Sequence, residues 1–72
     1  MRGNFFYKKL GERVFVERKR KKLSQEKLSF LCDIDRTYLA RIECGKANPS
    51  MRVLRKLSRV LKVRVNTFMR GL

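Results

Sequence analysis

Residues 23–45, LSQEKLSFLCDIDRTYLARIECG, constrain the fold of this chain more than any other stretch. Ser24 and Asp35 each stand just before a short run with apolar residues at helical spacing. Both carry a side-chain oxygen that accepts from the unpaired N–H groups of a helix's first turn. The pattern predicts one helix over 25–32, with Leu28 and Leu31 inward and Ser29 small, and a second over 36–44, with Leu39 and Ile42 inward. Asp33-Ile34-Asp35 forms the turn between them, and Gly45 ends the second helix in the left-handed conformation common after helices. Two short helices at a tight turn, the second carrying Arg36, Thr37, Tyr38 and Arg41, form a compact reading element rather than a catalytic one.

The rest of the chain supplies a frame around that element. Phe6, Leu10 and Val14 recur at i, i+4 and predict a first helix over roughly 5–21, ending in the basic run Arg18-Lys19-Arg20-Lys21-Lys22. That run reads either as a solvated helix end suited to the C-terminal dipole or as a phosphate contact. After the loop Lys46-Ala47-Asn48-Pro49, Ser50 caps a fourth helix over 51–61 with Met51, Leu54, Leu57 and Leu61 inward. A short fifth helix spans about 65–70. The chain of 72 residues has length for one domain with a modest core and little room for a deep cleft. The expected architecture is an all-α, compact five-helix bundle over 1–72, with its helix-turn-helix core at about 24–45.

Charge narrows the partners. Twenty Lys+Arg against six Asp+Glu give a formal net charge of +14, with no His. The six acids are Glu12, Glu17, Glu26, Asp33, Asp35 and Glu43, so no acidic side chain follows Glu43. Such a chain repels itself and calls for a polyanion, nucleic acid before an anionic membrane surface. The absence of His, of a glycine-rich phosphate loop and of paired carboxylates on one helix face argues against an enzyme. Cys32 and Cys44 form no CxxC pair, so no metal site, and no cofactor, is expected. Cys32 reads as a small core residue and Cys44 as a partly exposed one. With neither a signal-peptide h-region nor a membrane-spanning run, the expected location is the cytoplasm, without membrane partner or small-molecule ligand.

In this order and spacing, LGERV, LSQEKL, DRTYLARIECGK, the NPS loop and the closing V-x-V-x-x-F-M pattern resemble the lambda-repressor-like, Xre/Cro-type helix-turn-helix regulators. Among these are the controller proteins of restriction-modification systems. The similarity runs from Leu10 to Met69. It implies a bacterial, plasmid or phage regulator, associated with the nucleoid, that binds double-stranded DNA, most simply as a repressor dimer on an inverted repeat. The resemblance assigns base readout to Arg36, Thr37 and Arg41, and backbone contacts to Ser24, Gln25, Tyr38, Lys46, Asn48 and Arg52. It also implies an ion pair between Arg18 and Glu43, and dimerisation through Val63, Val65, Phe68, Met69 and Leu72. A nonspecific nucleic-acid binder, including one for RNA, or an accessory or antitoxin module is the alternative.

Three positions depart from the family pattern: Asp33 stands where Gly is usual in the turn, Lys62 where Gly often follows helix four, and Arg64 where Ser or Asp often caps helix five. Phe15 and Val16, next to Val14, exceed what one narrow helical stripe can bury. They read as loose core packing or as a partner contact.

Overall fold

The computed structural model describes residues 2–72, with side chains from Phe5 onward. Its described residues form five helices: α1 Arg2–Arg20, α2 Gln25–Cys32, α3 Arg36–Glu43, α4 Met51–Leu61 and α5 Val65–Met69. The sequence boundaries shift at three ends. α1 starts earlier than residue 5, α3 ends at Glu43 with Cys44 as its cap, and α5 stops at Met69. Helix α1 lies across α3 and also touches α4 and α5, while α2 is held between α3 and α4.

Leu10 and Val14 of α1, Leu28 and Cys32 of α2, Leu39 and Ile42 of α3, Leu54, Leu57 and Leu61 of α4 and Phe68 of α5 make the core. Burial pushes the Cys32 thiol up to about 11, the nearby Lys56 charge opposing it only in part. Gly11 is buried in α1 where α3 ends, and a Cβ there would overlap the Ile42 carbonyl oxygen and come within 2.9 Å of that of Glu43. The absent side chain is what lets α1 lie directly on the α3 backbone.

Three apolar expectations need correction. Leu31 is exposed, because the buried stripe of the eight-residue α2 runs through Leu28, Ser29 and Cys32, and Leu31 falls to one side of it. Met51 is exposed as well: each three-residue step rotates back by about 60° from a full turn, which carries the first position of α4 off the face of Leu54, Leu57 and Leu61. Phe68 is fully buried and unavailable to a dimer partner. In a five-residue α5 it is the one bulky side chain that closes the core against α1 and α4. Phe15 and Val16 are exposed, and the Phe15 ring lies 5.3 Å from the Arg18 guanidinium and 5.9 Å from the Lys19 ammonium.

Four helices end on a left-handed residue: Lys22, Asp33, Gly45 and Lys62 have φ of 58°, 56°, 75° and 59°. In each case the next backbone N–H reaches back to the fifth residue before it, as Leu23 to Arg18, Ile34 to Ser29, Lys46 to Arg41 and Val63 to Ser58. Only Gly45 avoids the Cβ clash of this conformation. Arg64 makes no side-chain capping bond to α5, as its type dictates.

Replacing Lys62 by Gly should therefore raise stability by about 0.5–1 kcal/mol, the left-handed penalty relieved less the extra chain entropy of Gly. That is a Tm increase of a few degrees in a thermal melt, and an unchanged or lower Tm would contradict the strain argument. Of the two thiols, Cys44 is exposed and Cys32 buried, so a disulfide-exchange reagent should label one thiol per folded chain and both only after denaturation.

Candidate nucleic-acid interface

Helix α3 is short, so its local chemistry decides whether it stands. The Asp35 carboxylate accepts from the backbone N–H of Thr37 at 3.0 Å and of Tyr38 at 3.3 Å, closing the first turn. Leu39 and Ile42 anchor the inner face. Arg36, Thr37 and Arg41 are exposed on the outer one, the first two at the N-terminal end of the helix. Tyr38 is half-buried against the core, which commits its ring to packing. Arg41 turns toward the following loop, Nη2 donating to the Lys46 carbonyl at 2.8 Å. Its remaining N–H groups stay exposed beside Arg36 and Thr37.

A buried ion pair holds this helix against the frame. Arg18 Nε donates to Glu43 Oε2 at 2.7 Å and Nη2 donates to Oε1 at 3.0 Å, a two-pronged contact joining α1 to the last residue of α3. The paired side chains are 8% and 3% exposed, so both charges are withdrawn from water. Arg18 Nη1 also donates to the Leu23 carbonyl at 2.8 Å, and Gln25 Nε2 to Glu43 Oε1 at 3.0 Å. One network thus joins α1, the α1–α2 connection, α2 and α3. Gln25 has spent a donor on this brace, and its amide oxygen is left for other partners.

Beside the network lies an open cleft of about 900 Å³ lined by Arg18, Lys19, Lys22, Leu23, Ser24, Gln25, Glu26 and Arg36. It brings the N-terminus of α2 next to the first residue of α3 and under the basic end of α1. Ser24 caps α2, its hydroxyl accepting from the Lys27 N–H at 2.9 Å. Lys19 and Lys22 were not singled out from sequence as site residues. The basic run was the available signal, and what it lacked was the direction of each side chain. On the other side of α3, Lys46 and Asn48 are exposed in the loop, and Arg52 is exposed in the first turn of α4. Ser50 accepts from the Val53 N–H at 3.1 Å and leaves that helix end facing the same loop. Cations and free amides therefore flank the reading face on both sides, an arrangement suited to phosphate on either edge of a groove.

Of the remaining sequence candidates, Val63, Val65 and Met69 are half-buried against the core, and Leu72 is exposed. Arg13, not foreseen, clamps the chain's end: its Nη1 donates to the carbonyls of Phe68 and Arg70. Among the described residues no helix is long and apolar enough to cross a membrane, and no three potential metal ligands come together.

The capped pair α2–α3, with its cationic outer face, defines a helix-turn-helix DNA-binding domain. Residues 17–68 match the HTH_3 helix-turn-helix family, and the chain belongs to that family. It is 49% identical over 41 residues to the control protein C.BamHI of Bacillus amyloliquefaciens, covering 57% of this chain and 51% of that protein. It is 35% identical over 57 residues to the immunity repressor protein of Bacillus phage phi105, covering 79% of this chain and 40% of that one. The chain thus spans about half or less of the length of these two relatives. The crystal structure of the restriction-modification controller protein C.AhdI from Aeromonas hydrophila superposes with a TM-score of 0.84 at 35% identity, over 86% of this chain and 94% of that one.

Breaking a buried pair leaves an uncompensated charge, so Arg18→Met and Glu43→Leu should each cost about 3–5 kcal/mol in denaturant unfolding. The double variant should lose clearly less than the sum of the two. Additive losses would mean that the two charges are not coupled.

Proposed function

We propose that the chain is a sequence-specific transcriptional regulator that binds a short inverted repeat as a dimer, with α3 in the major groove, and represses by occluding a promoter. The observation that carries this reading is the outward face of Arg36, Thr37 and Arg41 on a helix fixed from behind by the Arg18–Glu43 network. Arg36 and Thr37 sit at the end of the helix that reaches base edges. A guanidinium can bond guanine O6 and N7 together, and the Thr methyl can meet that of thymine. Ser24, the Gln25 amide oxygen, the Tyr38 hydroxyl, Lys46, Asn48 and Arg52 serve as backbone positioners. Lys22 joins them through the α2 cleft. The likeness to a control protein, a restriction-modification controller protein and a phage immunity repressor supports a role in switching genes.

Dimerisation is assigned to the C-terminal end. Leu72 and Phe5 are exposed there and share a shallow groove with Phe6 and Gly71, while Val63, Val65 and Met69 offer half-buried edges. The domain measures 31 × 23 × 21 Å. Two copies side by side fit the spacing of about 34 Å between successive faces of a DNA duplex.

Selection from a random duplex pool should recover an inverted repeat. On that duplex, Arg36→Ala and Arg41→Ala should each lower discrimination against random DNA by about 1–3 kcal/mol. Lys46→Ala should weaken selected and random duplexes alike. Sedimentation should show two chains on the selected duplex. Equal affinity for selected duplex, random duplex and single-stranded RNA would leave a nonspecific nucleic-acid binder, and one chain per duplex would remove the dimer.

A further inference from the structure

The outward side of α4 carries a second cationic surface that the reading of α3 does not use. At 100° per residue, Arg52, Arg55, Lys56 and Arg59 fall within roughly 100° of arc, opposite the buried Leu54, Leu57 and Leu61. The three arginines are exposed and Lys56 half-buried, and with Met51 they line one open groove. Among the described residues none of the four meets a carboxylate within ion-pair distance. α1 differs, since Lys9 and Arg20 there pair with Glu12 and Glu17. α4 contains no acid at all.

Folding does not account for this stripe. Like charges at i, i+3 and i, i+4 oppose helix formation, and a cation in the first turn opposes the helix dipole. Arg52 sits at that unfavourable end, just after the Ser50 cap. A bound polyanion reverses the sign of both effects. The stripe from Arg52 to Arg59 is about 10 Å long at 1.5 Å per residue, enough, with the reach of its side chains, to run beside successive phosphates of one strand. Guanidinium groups suit phosphate through two-pronged bonds. The stripe also has a defined origin. It starts at Arg52, beside the Lys46–Asn48 loop that edges α3, and leads away along α4.

We propose that Arg55, Lys56 and Arg59 bind the sugar-phosphate backbone of the same DNA duplex outside the base pairs that α3 reads, continuing a track that begins at Arg52. This rests on the proposed function. It adds a flank-dependent, sequence-independent contact, so that affinity depends on the length of duplex around the recognised core.

The test compares the selected core duplex alone with the same core extended by about 10 bp on each side, following log affinity against log salt concentration. For the unaltered chain the slope should be steeper on the extended duplex by about 2–3 per bound chain, about 5 for a dimer given both flanks, one phosphate contributing about 0.9. Arg55→Gln/Arg59→Gln should cut that difference to about 1 per bound chain, the share of Lys56, and keep the slope on the bare core. Arg55→Lys/Arg59→Lys, which keeps the charge, should restore most of it. The difference between the two slopes is unaffected by a smaller folded fraction, which enters both duplexes alike, so a destabilised variant still reports. Equal slopes on both duplexes, or a glutamine variant that loses slope on both, would overturn the inference. So would a second labelled duplex captured through α4 in place of the flank. Absence of any preference for the selected core over random duplex sinks the proposed function instead. Preference retained with equal slopes sinks this inference alone.

Discussion

The reading element depends on the buried pair between Arg18 and Glu43. Two charges withdrawn from water cost more than their attraction returns unless their remaining donors and acceptors are met. Here they are met: the Leu23 carbonyl takes the third arginine contact, and the Gln25 amide meets the carboxylate. Satisfied in this way, the pair is directional where apolar contacts are not. It defines where the end of α3 lies against α1 and, through Gln25, where α2 begins. Gly11 makes the geometry possible, because only a residue without Cβ lets α1 approach the carbonyls at the end of α3. Ion pair and glycine act at the same crossing, one by attraction and the other by absence.

A consequence follows for charge. The chain has six acids against 20 cations, and Glu43 is consumed by the brace. Asp35 is engaged in capping α3, and Asp33 in the left-handed turn before it. Glu43 and Asp35 thus serve the fold, and Glu26 is the acid that stays exposed in the cleft with Arg36. A strong positive field is left around the reading helix, which favours encounter with a polyanion over long range. Lys22 and Lys62 express the same bias locally. Each holds a strained left-handed conformation where Gly would be easier and uncharged.

Much of the architecture was legible from the chain because it is set by near neighbours. Ser24, Asp35 and Ser50 announce helix starts, since a cap works across two or three residues of sequence. The five helices and the buried positions of Leu39, Ile42, Leu54, Leu57 and Leu61 follow from such short-range rules and helical period. Family pattern reached further, pointing to Arg36, Thr37 and Arg41 as an outer face and to Arg18 and Glu43 as partners. Periodicity was poorest at stripe edges and helix ends. There Leu31 and Met51 look apolar enough to bury and are not, because burial at an edge depends on whether another helix covers it.

What the sequence by itself determined is therefore the set of helices, their caps, the surplus of positive charge and the cationic outer face of α3, all carried by residues a few positions apart. Only the tertiary structure decided which end of each side chain is spent internally. It turned Phe68 from a surface candidate into the core plug of α5, brought Lys22 and Arg36 to one cleft, and committed a Gln25 donor to the brace. It also turned Arg13 back onto the end of α5. The reason is physical: these outcomes depend on contacts between residues far apart in the chain, whose distances exist only once the helices have packed.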